Sequence, residues 1–180
     1  NFAVNPTVFY GGDPADSGNY GSAWIDFDND HDLDLYVAHC RQSTSSPTDL
    51  RRINRLFVND GSNNFTEQAG AFGIDVGWQT WTSSFGDIDN DGDRDLLVGG
   101  GGAEFAEDDV ERGLRIYINN GKGQMSRMTS GVPLISTNAS TINACDFDAD
   151  GDFDVFIGGG VEADIYPMPS KSYLLANNGK

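Results

Sequence analysis

Cysteine, histidine, basic side chains and long apolar runs are the things this 180-residue chain has little of. Two cysteines, Cys40 and Cys145, are too few for a disulfide framework. They stand at different places relative to the motifs around them, so free thiols are expected. No apolar run approaches the roughly 18 residues a spanning helix needs, so no membrane insertion is expected. No charged-then-apolar leader stands at Asn1 and no initiator Met precedes it, which points to a mature, excised or partial product. Lys and Arg number 11 against 28 Asp and Glu. With no basic patch to neutralise phosphates, nucleic acid is not expected as a partner. His31 and His39 are the whole imidazole supply, and no Gly-x-Ser-x-Gly elbow, phosphate loop or zinc pair occurs, so the expectation is no enzyme. His39-Cys40 is half of a soft-metal site at most, and nothing in the sequence partners it.

What is present is a folding composition, 38% hydrophobic and 11% aromatic, with a net charge of -17. The acidity is concentrated. Fifteen of the 28 acids lie in three stretches: DFDNDHDLDLYVAH from Asp26, DIDNDGDRDLLVGG from Asp87 and DFDADGDFDVFIGG from Asp146. Carboxylates at every second position repel in any isolated strand or helix, so the pattern calls for a hard cation. Calcium takes about six to eight oxygens, and a short loop supplies them when alternate residues point inward and a backbone carbonyl fills a gap. The second ladder gives Asp87, Asp89, Asp91 and Asp95 as side-chain ligands and the carbonyl of Asp93, with Gly92 at the sharp turn. The third gives Asp146, Asp148, Asp150 and Asp154 with the carbonyl of Asp152, and Gly151 at the turn. The first gives Asp26, Asp28, Asp30 and Asp34 with the carbonyl of Asp32, but His31 replaces the glycine. A non-glycine residue there costs of order 1 kcal/mol, so this is expected to be the weakest of three calcium sites. The helix-loop-helix calcium hand is disfavoured: its twelfth position wants a bidentate Glu, and here stand Val37, Val98 and Ile157.

The ladders recur at a spacing of about 60 residues, and other features fall into register with them. Each aliphatic exit is followed by a variable segment and a second apolar run ending in a turn, as in RLFVNDGSNNF, LRIYINNGKGQM and YLLANNGK. Asn-Asp-Gly and Asn-Asn-Gly are hairpin signals because Asn and Gly tolerate positive φ. The expected strands are Ser22 to Phe27, Leu33 to Ala38, Arg55 to Val58 and Asn64 to Glu67; then Thr82 to Ile88, Asp95 to Gly99, Leu114 to Ile118 and Gln124 to Met128; then Thr141 to Phe147, Phe153 to Gly158 and Ser172 to Ala176. The last repeat lacks a fourth strand, and Asn1-Phe2-Ala3-Val4 repeats the phrase that would supply it. Four-stranded antiparallel units repeated radially are β-propeller blades, which come in sets of about four to eight. The expectation is therefore all-β: three blades belonging to a larger or strand-swapped propeller. The divisions are residues 1–21 (terminal strand plus linker), 22–67, 68–128 and 129–180. The segment Glu104 to Arg112 reads as a solvated acidic loop, and no helix of consequence is expected.

The ladders, with Phe85-Gly86 before Asp87, the glycine-rich exits Gly99 to Gly102 and Gly158 to Gly160, and the Asn-Asn-Gly turns, resemble the FG-GAP or VCBS repeat family. Its repeats are the blades of integrin-α-like propellers. The resemblance spans nearly the whole chain and implies seven-bladed propellers, extracellular or cell-surface placement and interaction functions. Departures are His31 for glycine, and Trp24-Ile25 and Ala144-Cys145 where Phe85-Gly86 stands.

Weaker signals complete the reading. Trp24 and Trp81 are expected to pack between blades, and Trp78 is the best glycan-stacking candidate. Asn64 and Asn138 open glycosylation sequons. The leading functional expectation is a calcium-stabilised extracellular interaction or scaffold module for a protein or glycan ligand, presented on loops such as Arg41 to Arg52 and Gly102 to Gly113. Alternatives are a structural subunit that self-associates through its terminal strand, and a non-catalytic piece of a larger secreted enzyme.

Overall fold

The computed structural model describes residues 18–41, 48–102, 111–122, 124–135, 137–162 and 165–179. The expected terminal strand Asn1 to Val4, most of the acidic segment Glu104 to Arg112 and part of the loop from Arg41 to Arg52 lie outside these residues.

Apolar runs after each ladder become largely buried strands. They are β2 (Asp34–His39), β6 (Asp95–Gly100) and β10 (Asp154–Gly159). Each pairs antiparallel with the strand before its ladder: β1 (Asn19–Ile25), β5 (Thr80–Gly86) and β9 (Ala139–Cys145). On the other side lie β3 (Arg55–Asn59), β7 (Leu114–Asn119) and β11 (Tyr173–Leu175). The short strands β4 (Phe65–Glu67) and β8 (Met125–Arg127) complete two of the sheets. Among the described residues there are thus two four-stranded sheets, in the order β1-β2-β3-β4 and β5-β6-β7-β8, and one of three strands, β9-β10-β11. One four-residue helix, α1 (Ala69–Phe72), ends where Gly73 turns left-handed at φ 74.

The strands before the ladders run earlier than the sequence suggests, beginning at Asn19, Thr80 and Ala139 and stopping before the first aspartate. Phe27, Ile88 and Phe147 leave the ladder because the amides of all three go to a carboxylate, that of Asp34, Asp95 or Asp154. β1 also crosses the expected division after residue 21.

The sheets stack face to face and the core lies between them. Phe27, Tyr36 and Leu56 of the first sheet meet Leu96, Val98 and Tyr117 of the second. Leu97 and Ile116 meet Ile142, Val155 and Ile157 of the third. Period-two alternation on strands buried on both faces produces this arrangement, because neighbouring side chains serve opposite junctions.

Candidate metal centres and the junctions beside them

Each ladder folds as a loop between two strands, and each gathers three carboxylates whose ligand oxygens lie within 4.8 Å of one another. The trios are Asp26, Asp28 and Asp30; Asp87, Asp89 and Asp95; and Asp146, Asp148 and Asp154. The carboxylate of the first aspartate spans the turn. Oδ2 accepts the amide of His31, Gly92 or Gly151 at 3.1 Å in all three copies. Those residues have φ of 76, 97 and 100, so His31 occupies the left-handed position that glycine fills in the other ladders. A Cβ at Gly92 or Gly151 would meet nothing within 4 Å, so the cost of His31 is backbone strain and not a clash.

The third aspartate turns back on the loop: Asp30, Asp91 and Asp150 accept the amide two residues on, at 3.0, 2.9 and 3.0 Å. The fifth is fully buried. Oδ2 of Asp34, Asp95 and Asp154 takes the amide of Phe27, Ile88 or Phe147, and Oδ1 takes that of Asn59, Asn119 or Asn177. It therefore ties the loop to the end of the third strand.

Electrostatics favour a cation here. Burial pushes the carboxyls of Asp34 and Asp95 up to about 6. Burial, then neighbouring ladder carboxylates, raises Asp28, Asp89 and Asp148 above the ordinary carboxylate range. Oδ1 of Asp26 and Oδ1 of Asp87 are shielded from water and have no hydrogen-bond partner. An unpaired carboxylate oxygen removed from water is costly unless a cation or donor meets it. The donor set is all oxygen, hard and anionic, which suits calcium and not a thiolate- or imidazole-seeking metal.

Sequence reasoning missed what lies between the ligands. Asn29 and Asn90, both left-handed at φ 61 and 60, send their side-chain amides to the next ladder, Asn29 to Asp93 at 2.8 Å and Asn90 to Asp152 at 2.6 Å. In the opposite direction, Asn119 reaches the Phe27 carbonyl at 3.0 Å and Asn177 reaches that of Ile88 at 2.8 Å. The available signal was the recurrence of Asn59, Asn119 and Asn177 at one repeat position, which turn propensity alone explained too easily.

Other expected sites fare differently. Trp24 is not a core residue: it is 53% exposed and stands edge-on to Phe65. Trp81 is partly buried, with its indole N–H on Gln79 at 3.0 Å, and Trp78 is half-buried. Asn138 is fully buried; its side chain accepts the Gly102 amide and donates to the Val161 carbonyl, so its sequon offers no acceptor for a glycan. Asn64 is exposed and bonded to Asp60. Both cysteines are free thiols, Cys40 buried with Sγ on Gln79 and Cys145 exposed. Beside Cys40, His39 is buried, which holds its imidazole down at about 4, and no metal-ligating group gathers around the pair among the described residues.

A family model described as FG-GAP-like repeat matches residues 26–98 and 105–157, more than half of the chain and all three ladders. No curated protein matches the chain. No helix among the described residues is long and apolar enough to cross a membrane.

Proposed function

The chain belongs to the FG-GAP-like repeat family, and from that premise we propose that it is a calcium-stabilised extracellular interaction or scaffold module, binding protein or glycan and not itself a catalyst. Repeats of this kind are typical of extracellular proteins. One observation carries the reading: a carboxylate trio within 4.8 Å, built each time on the first two ladder aspartates, recurs in all three repeats, and in two of them the first aspartate keeps a buried oxygen with no hydrogen-bond partner. Asp26, Asp87 and Asp146, with Asp28, Asp89 and Asp148, would hold the ion, joined by Asp30 or by Asp95 and Asp154. Calcium bound there would neutralise the clustered carboxylates of each loop, among them Asp95 and Asp154, which tie the second and third loops to their own sheets.

The metal is structural in this reading. Extracellular calcium modules bind at roughly 0.1 to 1 mM, so about 1 mM free calcium adds of order 0.4 to 1.4 kcal/mol per site by mass action. Three sites form a sizeable part of a stability of about 5 to 15 kcal/mol. Thermal melting in calcium and in excess chelator tests this, with a lower midpoint expected in chelator and an unchanged one counting against a structural ion. Ligand binding is tested on protein and glycan arrays in calcium, where no hit removes the interaction role.

A second reading has its own observation. Among the described residues β11 is the outer edge of a sheet of three strands where the other two have four. An open edge with unpaired backbone groups accepts an added strand, and the phrase Asn1-Phe2-Ala3-Val4 matches Asn64-Phe65-Thr66-Glu67 at the equivalent place. Self-association by strand exchange follows, and sedimentation of the calcium-loaded chain as a monomer at all concentrations would exclude it.

A further inference from the structure

The three carboxylate trios are bonded to one another as well as to their own sheets. Two kinds of bond cross each junction, in opposite directions. Forward, Asn29 lies between Asp28 and Asp30 of the first trio and donates its side-chain amide to Asp93 at 2.8 Å. Asn90 lies between Asp89 and Asp91 and donates to Asp152 at 2.6 Å. Each accepting aspartate directly follows the turn residue of its own loop: Asp93 follows Gly92, whose amide Asp87 holds, and Asp152 follows Gly151, whose amide Asp146 holds. These aspartates have little room to turn away. A Cβ on Gly121 would collide with the Asp93 carboxylate, and one on Gly179 would stand 2.7 Å from that of Asp152.

Backward, one asparagine spans two trios. The backbone amide of Asn119 holds Oδ1 of Asp95, in the second trio, at 2.8 Å. Its side-chain amide holds the carbonyl of Phe27, between Asp26 and Asp28 of the first trio. Asn177 repeats this between Asp154 of the third trio and the Ile88 carbonyl, which lies between Asp87 and Asp89 of the second. The second trio is thus tied on both sides and each outer trio on one. Ala149, left-handed at φ 62 where Asn29 and Asn90 stand, ends the forward line.

We propose that Asn29, Asn90, Asn119 and Asn177 are positioning residues that make calcium binding positively cooperative from loop to loop, with the second site as the hub. The inference rests on the calcium reading above. Its sign follows from the charges. Unneutralised carboxylates within 4.8 Å repel, and a loop that opens to separate them carries Asn29, or the Phe27 carbonyl, away from its partner across the junction. An ion that draws one loop shut fixes the groups that position the next, and linkage makes the effect reciprocal. Repulsion between neighbouring ions has the opposite sign. In 0.15 M salt it is screened beyond about 8 Å, whereas the bonds act at contact.

Isothermal titration of the full chain with calcium chloride in about 0.15 M salt tests this. Asp87→Asn with Asp89→Asn removes the second site, and the ions that remain are expected to bind about fivefold or more weakly, the lower end of ordinary couplings between sites. Asn29→Ala with Asn90→Ala copies Ala149 and cuts only the forward bonds. It should weaken calcium uptake by the whole chain, and in its background removal of the second site should cost the other two less than it does in the wild type. A merely structural amide behaves otherwise: its loss lowers the melting midpoint equally in chelator and in calcium and leaves calcium affinity unchanged, and that result overturns the proposal. So do remaining ions that bind as before, or more tightly, once the second site is removed. No calcium uptake by the folded chain refutes the calcium reading and this inference together, whereas uptake of three ions with the asparagine variants indistinguishable from wild type refutes the coupling alone. If the paired alanine variant does not fold, Asn29→Gly with Asn90→Gly replaces it, because glycine accepts the left-handed backbone without supplying the amide.

Discussion

Replacing Asp89 by asparagine should stabilise the chain without metal and weaken it with metal. Asp89 is exposed but stands in a trio with Asp87 and Asp95 whose ligand oxygens lie within 4.8 Å. At that separation two unit charges repel by about 1 kcal/mol even with water-like screening, so removing one carboxylate from two such pairs relieves up to about 2 kcal/mol in chelator. The raised carboxyl of Asp89, caused by burial and then by Asp91 and Asp87, points the same way. For a domain of this length that relief is worth a rise of roughly 4 to 8 °C in melting midpoint. With calcium the sign reverses, because the site has lost an anionic ligand and its contribution of about 0.4 to 1.4 kcal/mol shrinks. Differential scanning calorimetry of wild type and Asp89→Asn, each in chelator and in several millimolar calcium, reads the crossing. Equal destabilisation in both media would refute the reasoning, since Asp89 would then serve the fold and not an ion.

Asn119→Ala removes an amide that reaches the Phe27 and Arg94 carbonyls and an oxygen that accepts the Gly121 amide. The orphaned groups should cost about 2 to 4 kcal/mol. Asn59→Ala should cost under about 1 kcal/mol in a urea titration, because that amide reaches only the Leu33 carbonyl, at 3.3 Å. His39 sets an acid limb. Its imidazole is held at about 4, below its ordinary 6.5, by burial and then Arg55, so the folded state disfavours the proton. Its contribution is intact above about pH 6.5 and declines as pH falls toward 4, by up to about 3 kcal/mol. Comparing His39→Leu with wild type in calcium across that range should show the stability difference changing with pH, and a constant difference would remove His39 as the cause.

Much of the arrangement was legible because charge and apolar character both alternate with period two and the whole phrase repeats. Asp26, Asp87 and Asp146 announced three loops, and the runs after them announced β2, β6 and β10. Boundaries before the ladders were not legible for the same reason: the alternation Ile-Asp-Phe-Asp continues unbroken from strand into loop. Only the diversion of the Phe27 amide to Asp34, a contact set by the loop's closure, ends β1. The early starts at Asn19, Thr80 and Ala139 lie beside register shifts, where the period-two alternation is interrupted and no side-chain pattern marks a strand. Trp24 misled because aromatic bulk near an inner strand suggests a core, whereas its face is the rear of the first sheet, with no sheet beyond it among the described residues. The junction asparagines were hidden by their own turn propensity: Asn29 and Asn90 suit left-handed backbone whether or not their side chains cross to a neighbour.

Both rims of each junction are latched by polar side chains, and this limits how the sheets can move. On the loop side stand the asparagine amides already described. On the far side Asn54 donates to Thr80 and Cys40 to Gln79 between the first two sheets, while the Gly102 amide bonds Asn138 and Arg112 pairs with Glu162 between the second and third. Sliding one sheet along another would break both rims at once, and splaying them would strand buried amides against an apolar middle. Neither motion has a partial, low-energy form. The described sheets are therefore held to one another at both rims, so that displacing any one of them disturbs its neighbour's loop as well as its own.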